Sequence, residues 1–209
     1  LASDHPEQPQ FTAFADAFSN LTPAVQWVEG EDSSPLPGFA LKENIVFSAL
    51  PLERELSPFL KGLGQLGSPH PDPEIRAQLT RIDLPCELTL YIALQCPHCP
   101  AMVETLIPLA ADCANIRLHI IDGSLFAEKA AADKVMSAPC LILDQGFRWT
   151  GAVEPDEIIS MILNRDPSSL STSTLKNILE AGDADWIIDE MIRFQRIFDG
   201  FLGLLVHET

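Results

Sequence analysis

The sequence predicts an α/β protein built from two related halves and a short helical extension. From residue 88 to 163, strand-like and helix-like segments follow one another as βαβα and then ββα, the order that builds a helix-covered mixed sheet. A hairpin-plus-helix pattern in the first half recurs in the second at an offset of 102 residues, since Pro37 aligns with Pro139. Residues 164–209 follow neither pattern.

In the first half, Phe11, Phe14, Ala15, Phe18 and Leu21 recur with a helical period. Ala24 to Glu29 reads as a short strand, and residues 30–38 are turn-rich. Phe39 to Lys42 and Ile45 to Phe47 flank Glu43-Asn44 as a hairpin, and a helix is expected from about Leu52 to Leu66. Three prolines and a glycine in residues 67–74 mark a boundary, followed by a bridging helix over Ile75 to Ile82.

The second half opens with a continuous apolar strand, Leu88 to Leu94, and Cys96 follows it directly. Pro97 to Ala111 is expected to be a helix, Asn115 to Ile121 a strand, Leu125 to Val135 a helix and Cys140 to Leu143 a strand. A turn at Asp144-Gln145-Gly146 leads to the strand Phe147 to Trp149. Pro155 to Leu163 closes the unit as a helix whose acidic start suits its positive end. At the same offset, Leu41 falls on Leu143, Ile45 and Phe47 on Phe147 and Trp149, Leu56 on Ile158 and Leu60 on Ile162. Beyond Asp166-Pro167, amphipathic helices are expected over Leu175 to Ala181, Trp186 to Phe194 and Ile197 to Val206. The units are therefore 1–74, 75–163 and 164–209.

Composition bounds the function. With 209 residues, 46% of them apolar, the chain supports a full core. Thirteen basic against 30 acidic residues give a net charge of −17, which repels phosphate backbones and anionic lipid, so nucleic acid and membrane are excluded as partners. No apolar run approaches the 18 or so residues a spanning helix needs, and Leu1-Ala2-Ser3-Asp4 has no targeting pattern. A soluble, cytoplasmic protein is expected.

Five cysteines stand at 86, 96, 99, 113 and 140, too scattered for a disulfide scaffold. Cys96-Pro97-His98-Cys99 is a C-x-x-C. A structural zinc site would need a second ligand pair, which is absent, so no metal is expected. A redox dithiol needs only this pair. With Cys96 as helix cap, unpaired N–H groups and the helix dipole favour a thiolate, and such placement lowers a thiol pKa to between roughly 3.5 and 7.5. Cys96 is then the attacking sulfur and Cys99, one turn on, the resolving one. In that frame Pro97 takes the first helical position at no cost, whereas Pro100 deletes a donor to the carbonyl of Cys96. His98 is either a spacer or, with Pro97, a tuner: dithiol potentials span about −270 to −120 mV, worth about 7 kcal/mol for two electrons. Ala138-Pro139 begins a strand beside the dithiol. A cis bond is expected there, leaving the backbone of Ala138 free to pair with a substrate strand. Cys140 reads as an inert strand cysteine, and His119 as a packed core histidine.

With these pieces in place, the second half resembles a thioredoxin fold. The wider pattern is similar to the tandem N-terminal domain of the alkyl hydroperoxide reductase flavoprotein and to protein disulfide oxidoreductases with two thioredoxin folds. The runs that carry the resemblance are Tyr91 to Cys96, Ile120 to Phe126, Val135 to Pro139 and, in the first half, Val46 to Leu56. It implies two tandem thioredoxin-like folds, the first lacking a C-x-x-C, over about residues 10–163. Thioredoxin has a buried aspartate six residues before the first cysteine, where this chain has Leu90. The resemblance implies that Glu55, reaching across from the first fold, takes the proton-transfer role. It also implies a protein disulfide or peroxiredoxin-like substrate. Pro97-His98 departs from the flavoprotein domain and is the dipeptide of strongly oxidising exported thiol oxidases. No flavin or nicotinamide fingerprint is present, so no cofactor is expected, and electrons would come from a separate reductase or dithiol.

The resulting expectation is a thiol–disulfide oxidoreductase of glutaredoxin-like or thioredoxin-like type, acting in cell redox homeostasis. Two other readings stand beside it: an exported disulfide-forming oxidase, and a non-catalytic binding module whose cysteines form a redox switch.

Overall fold

A computed structural model describes residues 5–22, 25–28, 35–144 and 147–164, and then 175–176, 179, 187–189, 191–192, 197–198 and 201. Its elements are α1 (Gln8–Leu21), β1 (Phe39–Lys42), β2 (Ile45–Ser48), α2 (Leu56–Gln65), α3 (Pro73–Leu79), β3 (Cys86–Ile92), α4 (Cys99–Asp112), β4 (Ile116–Asp122), α5 (Ala127–Ala132), β5 (Cys140–Leu143), β6 (Phe147–Thr150) and α6 (Pro155–Asn164). One six-stranded sheet runs β1-β2-β4-β3-β5-β6. The central strands β2, β4 and β3 are parallel, and antiparallel strands close both edges.

Side-chain alternation sorts the sheet into two faces. Leu88, Leu90 and Ile92 of β3, with Leu118 and Ile120 of β4, pack on Met102, Val103 and Leu106 of α4 and on Ile158 and Ile159 of α6. Tyr91, Ile121, Cys140 and Ile142 face the other way, toward Phe11 of α1 and Phe126 and Ala130 of α5. Cys86 and Cys113 are buried in the first cluster. Full burial is worth about 1.5–3 kcal/mol for each large apolar side chain, so these two clusters hold the sheet between its helices.

The first half joins this sheet through a single hairpin. In its turn, the Asn44 amide donates to the carbonyls of Ala110 (2.8 Å) and Ile116 (2.7 Å), and Lys42 Nζ donates to Ala111 (2.6 Å). The last carbonyls of a helix lack partners within it, and a cation there also meets the negative end of the dipole. The hairpin thus completes the C-terminus of α4. Behind it, Phe59 of α2 meets Phe14, Phe18, Phe39 and Phe47 with ring centroids 5.2–6.4 Å apart. Gly62 brings α2 close to α4, because a Cβ there would stand 2.7 Å from Ile107 Cδ1. The repeat is visible as the units β1-β2-α2 and β5-β6-α6, but they attach differently. The second strand of the first hairpin pairs with β4, whereas the first strand of the other pairs with β3.

Several expectations shift. The strand expected at Ala24 to Glu29 does not form across Val25 to Val28: these residues pair with no strand, and Val28 is 84% exposed. Ala24 and Glu29 themselves lie outside the described residues. Helix α2 begins at Leu56 rather than Leu52, because Glu53 turns left-handed (φ 49°). Helix α3 begins at Pro73, where the Asp72 carboxylate accepts from Glu74 N–H (2.8 Å) and Ile75 N–H (3.4 Å). Helix α5 is shorter at both ends than its apolar pattern suggests. Asp122 Oδ1 accepts from Ser124 N–H (2.8 Å) and Leu125 N–H (3.2 Å) before it, and Lys134 turns left-handed (φ 56°) after it. The helices expected over 175–181, 186–194 and 197–206 fall mostly outside the described residues; of those described, Leu175, Ile187 and Phe198 are buried together.

Candidate active site

Three parallel strands end at one edge of the sheet, with Ser48 of β2 opposite Ile121 of β4, and Ile92 of β3 opposite Asp122. The chain leaving β3 reaches Cys96, the chain leaving β2 reaches Glu55, and β4 ends in Asp122. At the same edge β5 begins antiparallel, with Cys140 opposite Tyr91, so Ala138 and Pro139 stand beside the end of β3. The carboxyl ends of parallel strands are where α/β sheets place ligands, since side chains from separate loops converge there.

Cys96 is half-buried, and its Sγ donates to the Ala138 carbonyl across 3.5 Å. The Ala138–Pro139 bond is cis. Cys99 is fully buried behind it, and both thiols are free. Burial pushes the Cys99 thiol up, and a hydrogen bond with Cys96 and the negative charges of Cys96 and Glu55 push the same way. One sulfur thus faces outward while its partner is held protonated beneath it.

Helix α4 starts later than the motif suggests. His98 is the capping residue and Cys99 the first helical one, so Cys96 lies two residues before the cap and is not itself the cap. The reason is local: Cys96 N–H bonds to Ala93 O (2.9 Å), closing a turn between strand and helix. This changes the proline argument. Pro100 now lies in the first turn, where its missing donor would have had no helical partner, so it costs no hydrogen bond. Pro97 and His98 are exposed, and the His98 side chain makes no capping bond.

Glu55, at the start of α2, is 0% exposed, and neither carboxylate oxygen has a hydrogen-bond partner among the described residues. Burial, reinforced by the nearby Asp122 charge, pushes its pKa from 4.5 up to about 7. Its charge is the smallest of the causes that push the Cys99 thiol up. Asp122 is the site residue that sequence reasoning passed over. Its Asp-Gly turn was visible, but its burial was not.

His119 is not simply packed core. It is half-buried on the other sheet face, and its Nε2 lies 2.8 Å from Ser48 Oγ. Burial, with a smaller contribution from the Lys129 charge, lowers its pKa to about 4. Cys140 is buried and its thiol is pushed up by that burial. Among the described residues, no group of three or more His, Cys, Asp and Glu side chains is placed to hold a metal ion. No helix among them is long and apolar enough to cross a membrane.

A half-exposed thiol at a strand end, a sealed partner three residues later and a proline loop against the first sulfur sit on a thioredoxin-like fold. Residues 87–164 match the thioredoxin-domain family model. The wider chain is 28% identical over 166 residues to an alkyl hydroperoxide reductase component of Pseudomonas aeruginosa, covering 74% of this chain and 32% of that protein. It is 24% identical over 167 residues to the corresponding component of Xanthomonas campestris, covering 74% and 31%. The chain spans about a third of the length of these curated relatives. Among solved structures it is similar to the NTD_N/C domain of alkyl hydroperoxide reductase from Enterococcus faecalis: TM-score 0.63, 20% identity, 78% of this chain and 87% of that one. It is also similar to a protein disulfide oxidoreductase from Aeropyrum pernix: TM-score 0.53, 14% identity, 61% and 58%. The architecture is that of tandem thioredoxin-like folds.

Proposed function

We propose that this protein is a thiol–disulfide oxidoreductase that exchanges disulfides with protein substrates through Cys96 and Cys99. The observation that carries this reading is the pairing of an accessible Cys96 with a sealed Cys99 next to a buried, unpartnered Glu55. The thiolate of Cys96 attacks one sulfur of a substrate disulfide, forming a mixed disulfide and releasing the other as a thiolate. Glu55, ionised, takes the proton of Cys99. The Cys99 thiolate then attacks Cys96 Sγ, forming the Cys96–Cys99 disulfide and releasing the second substrate thiolate, and the proton leaves Glu55 for that thiolate. A pKa of about 7 lets Glu55 both accept and return a proton near neutral pH. Ala138 and Pro139 align the substrate chain beside Cys96, and Pro97 and His98 tune the potential. Residues 1–74 supply Glu55 and no dithiol of their own, residues 75–163 the redox unit, and 164–209 an appended extension.

The resemblance to alkyl hydroperoxide reductases favours a cytoplasmic, glutaredoxin-like setting, with a peroxiredoxin-like protein as acceptor and a separate reductase or dithiol as donor. Pro97-His98 favours the opposite direction, an exported disulfide-forming oxidase, and the reduction potential separates the two. A value near −120 mV supports the oxidase and one near −270 mV the reductase. Insulin reduction driven by a supplied dithiol tests the enzyme itself. Cys96→Ser is expected to abolish turnover; equal turnover by variant and parent would leave only a redox-switched binding module.

A further inference from the structure

The segment Lys134–Ala138 carries the backbone carbonyl that accepts from Cys96 Sγ, and it is tied down at both ends. Past Ala138 it enters β5, and Pro139 O accepts from Gly151 N–H (3.0 Å). At its start it leaves α5 through a turn in which Lys134 has φ 56°, a left-handed conformation that an L side chain adopts only at a cost. Lys134 N–H bonds to Ala131 O (3.0 Å) and Val135 N–H to Ala130 O (2.9 Å), the two bonds of a helix-ending turn that usually has glycine where this chain has lysine.

Other elements hold this turn from outside. Arg148 of β6 donates to Lys134 O (2.7 Å) and Asp133 O (2.6 Å) with its two terminal nitrogens. The Asp133 carboxylate accepts from Tyr91 OH (2.5 Å) and from Lys129 Nζ (2.6 Å). Tyr91 is fully buried on β3, five residues before Cys96. The strand that delivers the attacking sulfur and the loop that faces it are therefore fastened to the same residue. A backbone conformation that costs energy persists only where its surroundings fix it, and here Arg148, Tyr91 and Lys129 do so.

We propose that Arg148, supported by Asp133 and Tyr91, is a positioning residue: it holds the left-handed turn at Lys134 and thereby sets the Ala138 backbone against Cys96 for pairing with a protein substrate. This rests on the thiol–disulfide reading above. Arg148 is exposed and its side chain lies outside the core, so Arg148→Met is expected to fold.

The test compares parent, R148M, K134G and the double variant on a protein disulfide, insulin, and on a small aromatic disulfide that needs no backbone pairing. R148M is expected to raise KM for insulin about tenfold with kcat unchanged, and to leave the small disulfide unaffected. Because glycine adopts the left-handed turn without help, adding Lys134→Gly is expected to restore the insulin KM. An unchanged insulin KM in R148M overturns the proposal. So does a loss shared equally by both substrates, or a raised KM that Lys134→Gly fails to rescue. If the parent shows no Cys96-dependent exchange with either substrate, the functional reading fails instead, and the two failures are distinct.

Discussion

Replacing Glu55 with glutamine removes a carboxylate that is fully buried, accepts no hydrogen bond among the described residues and titrates at about 7 instead of 4.5. Each pH unit between the folded and unfolded values is worth about 1.36 kcal/mol, which gives about 3 kcal/mol. Between pH 4.5 and 7 the folded state holds a proton that the unfolded state has lost, so this group makes the protein less stable as pH rises, with no further loss above 7. His119 acts in the opposite sense. Its value falls from 6.5 to about 4, so the unfolded state holds the extra proton, and stability is gained as pH rises through that window by a similar amount. In the parent the two contributions nearly cancel between pH 4.5 and 6.5. In E55Q only the His119 contribution remains. Urea unfolding of both proteins from pH 4 to 8 should show E55Q gaining about 3 kcal/mol on the parent across the range, nearly all of it between pH 4.5 and 7. A difference that stays constant to within about 1 kcal/mol over that range would show that Glu55 is not held protonated by burial, and the proton-transfer assignment would lose its basis.

Two further outcomes follow from the geometry. Gly62→Val places a Cβ 2.7 Å from Ile107 Cδ1 and 3.1 Å from its Cγ2, so Ile107 must repack or α2 shift from α4; a loss of about 1–3 kcal/mol in chemical denaturation is expected. Lys134→Gly alone relieves the left-handed turn at the end of α5, less the backbone entropy glycine adds to the unfolded chain. A gain of about 0.5–1 kcal/mol by thermal unfolding is expected, and a loss of that size would mean the turn is held without cost.

Much of this protein could be read from its residues because the signals are local. Apolar runs bounded by turns fixed β3, β4 and β5; the 102-residue offset marked the two hairpin-helix units; and C-x-x-C after a buried strand marked the dithiol. Element ends were less legible because they depend on backbone bonds made across the chain. The Cys96 to Ala93 turn, not the prolines, sets where α4 begins, and the Asp122 carboxylate helps set where α5 begins. The segment at Val25 to Val28 has a strand's composition, but a strand also needs a partner strand to pair with, and composition is silent on partners.

The amino-acid order by itself determined which side chains are candidates for chemistry and on which local elements they stand, since helix period, strand runs and thiol spacing are properties of neighbours in the chain. Only the tertiary structure decided that Glu55 is buried, that Cys99 is sealed while Cys96 is not, and that Arg148 grips the loop facing Cys96. Burial and charge proximity between residues tens of positions apart depend on how three strands end at one edge of a sheet, and pairing across a sheet is not written in any short stretch of sequence.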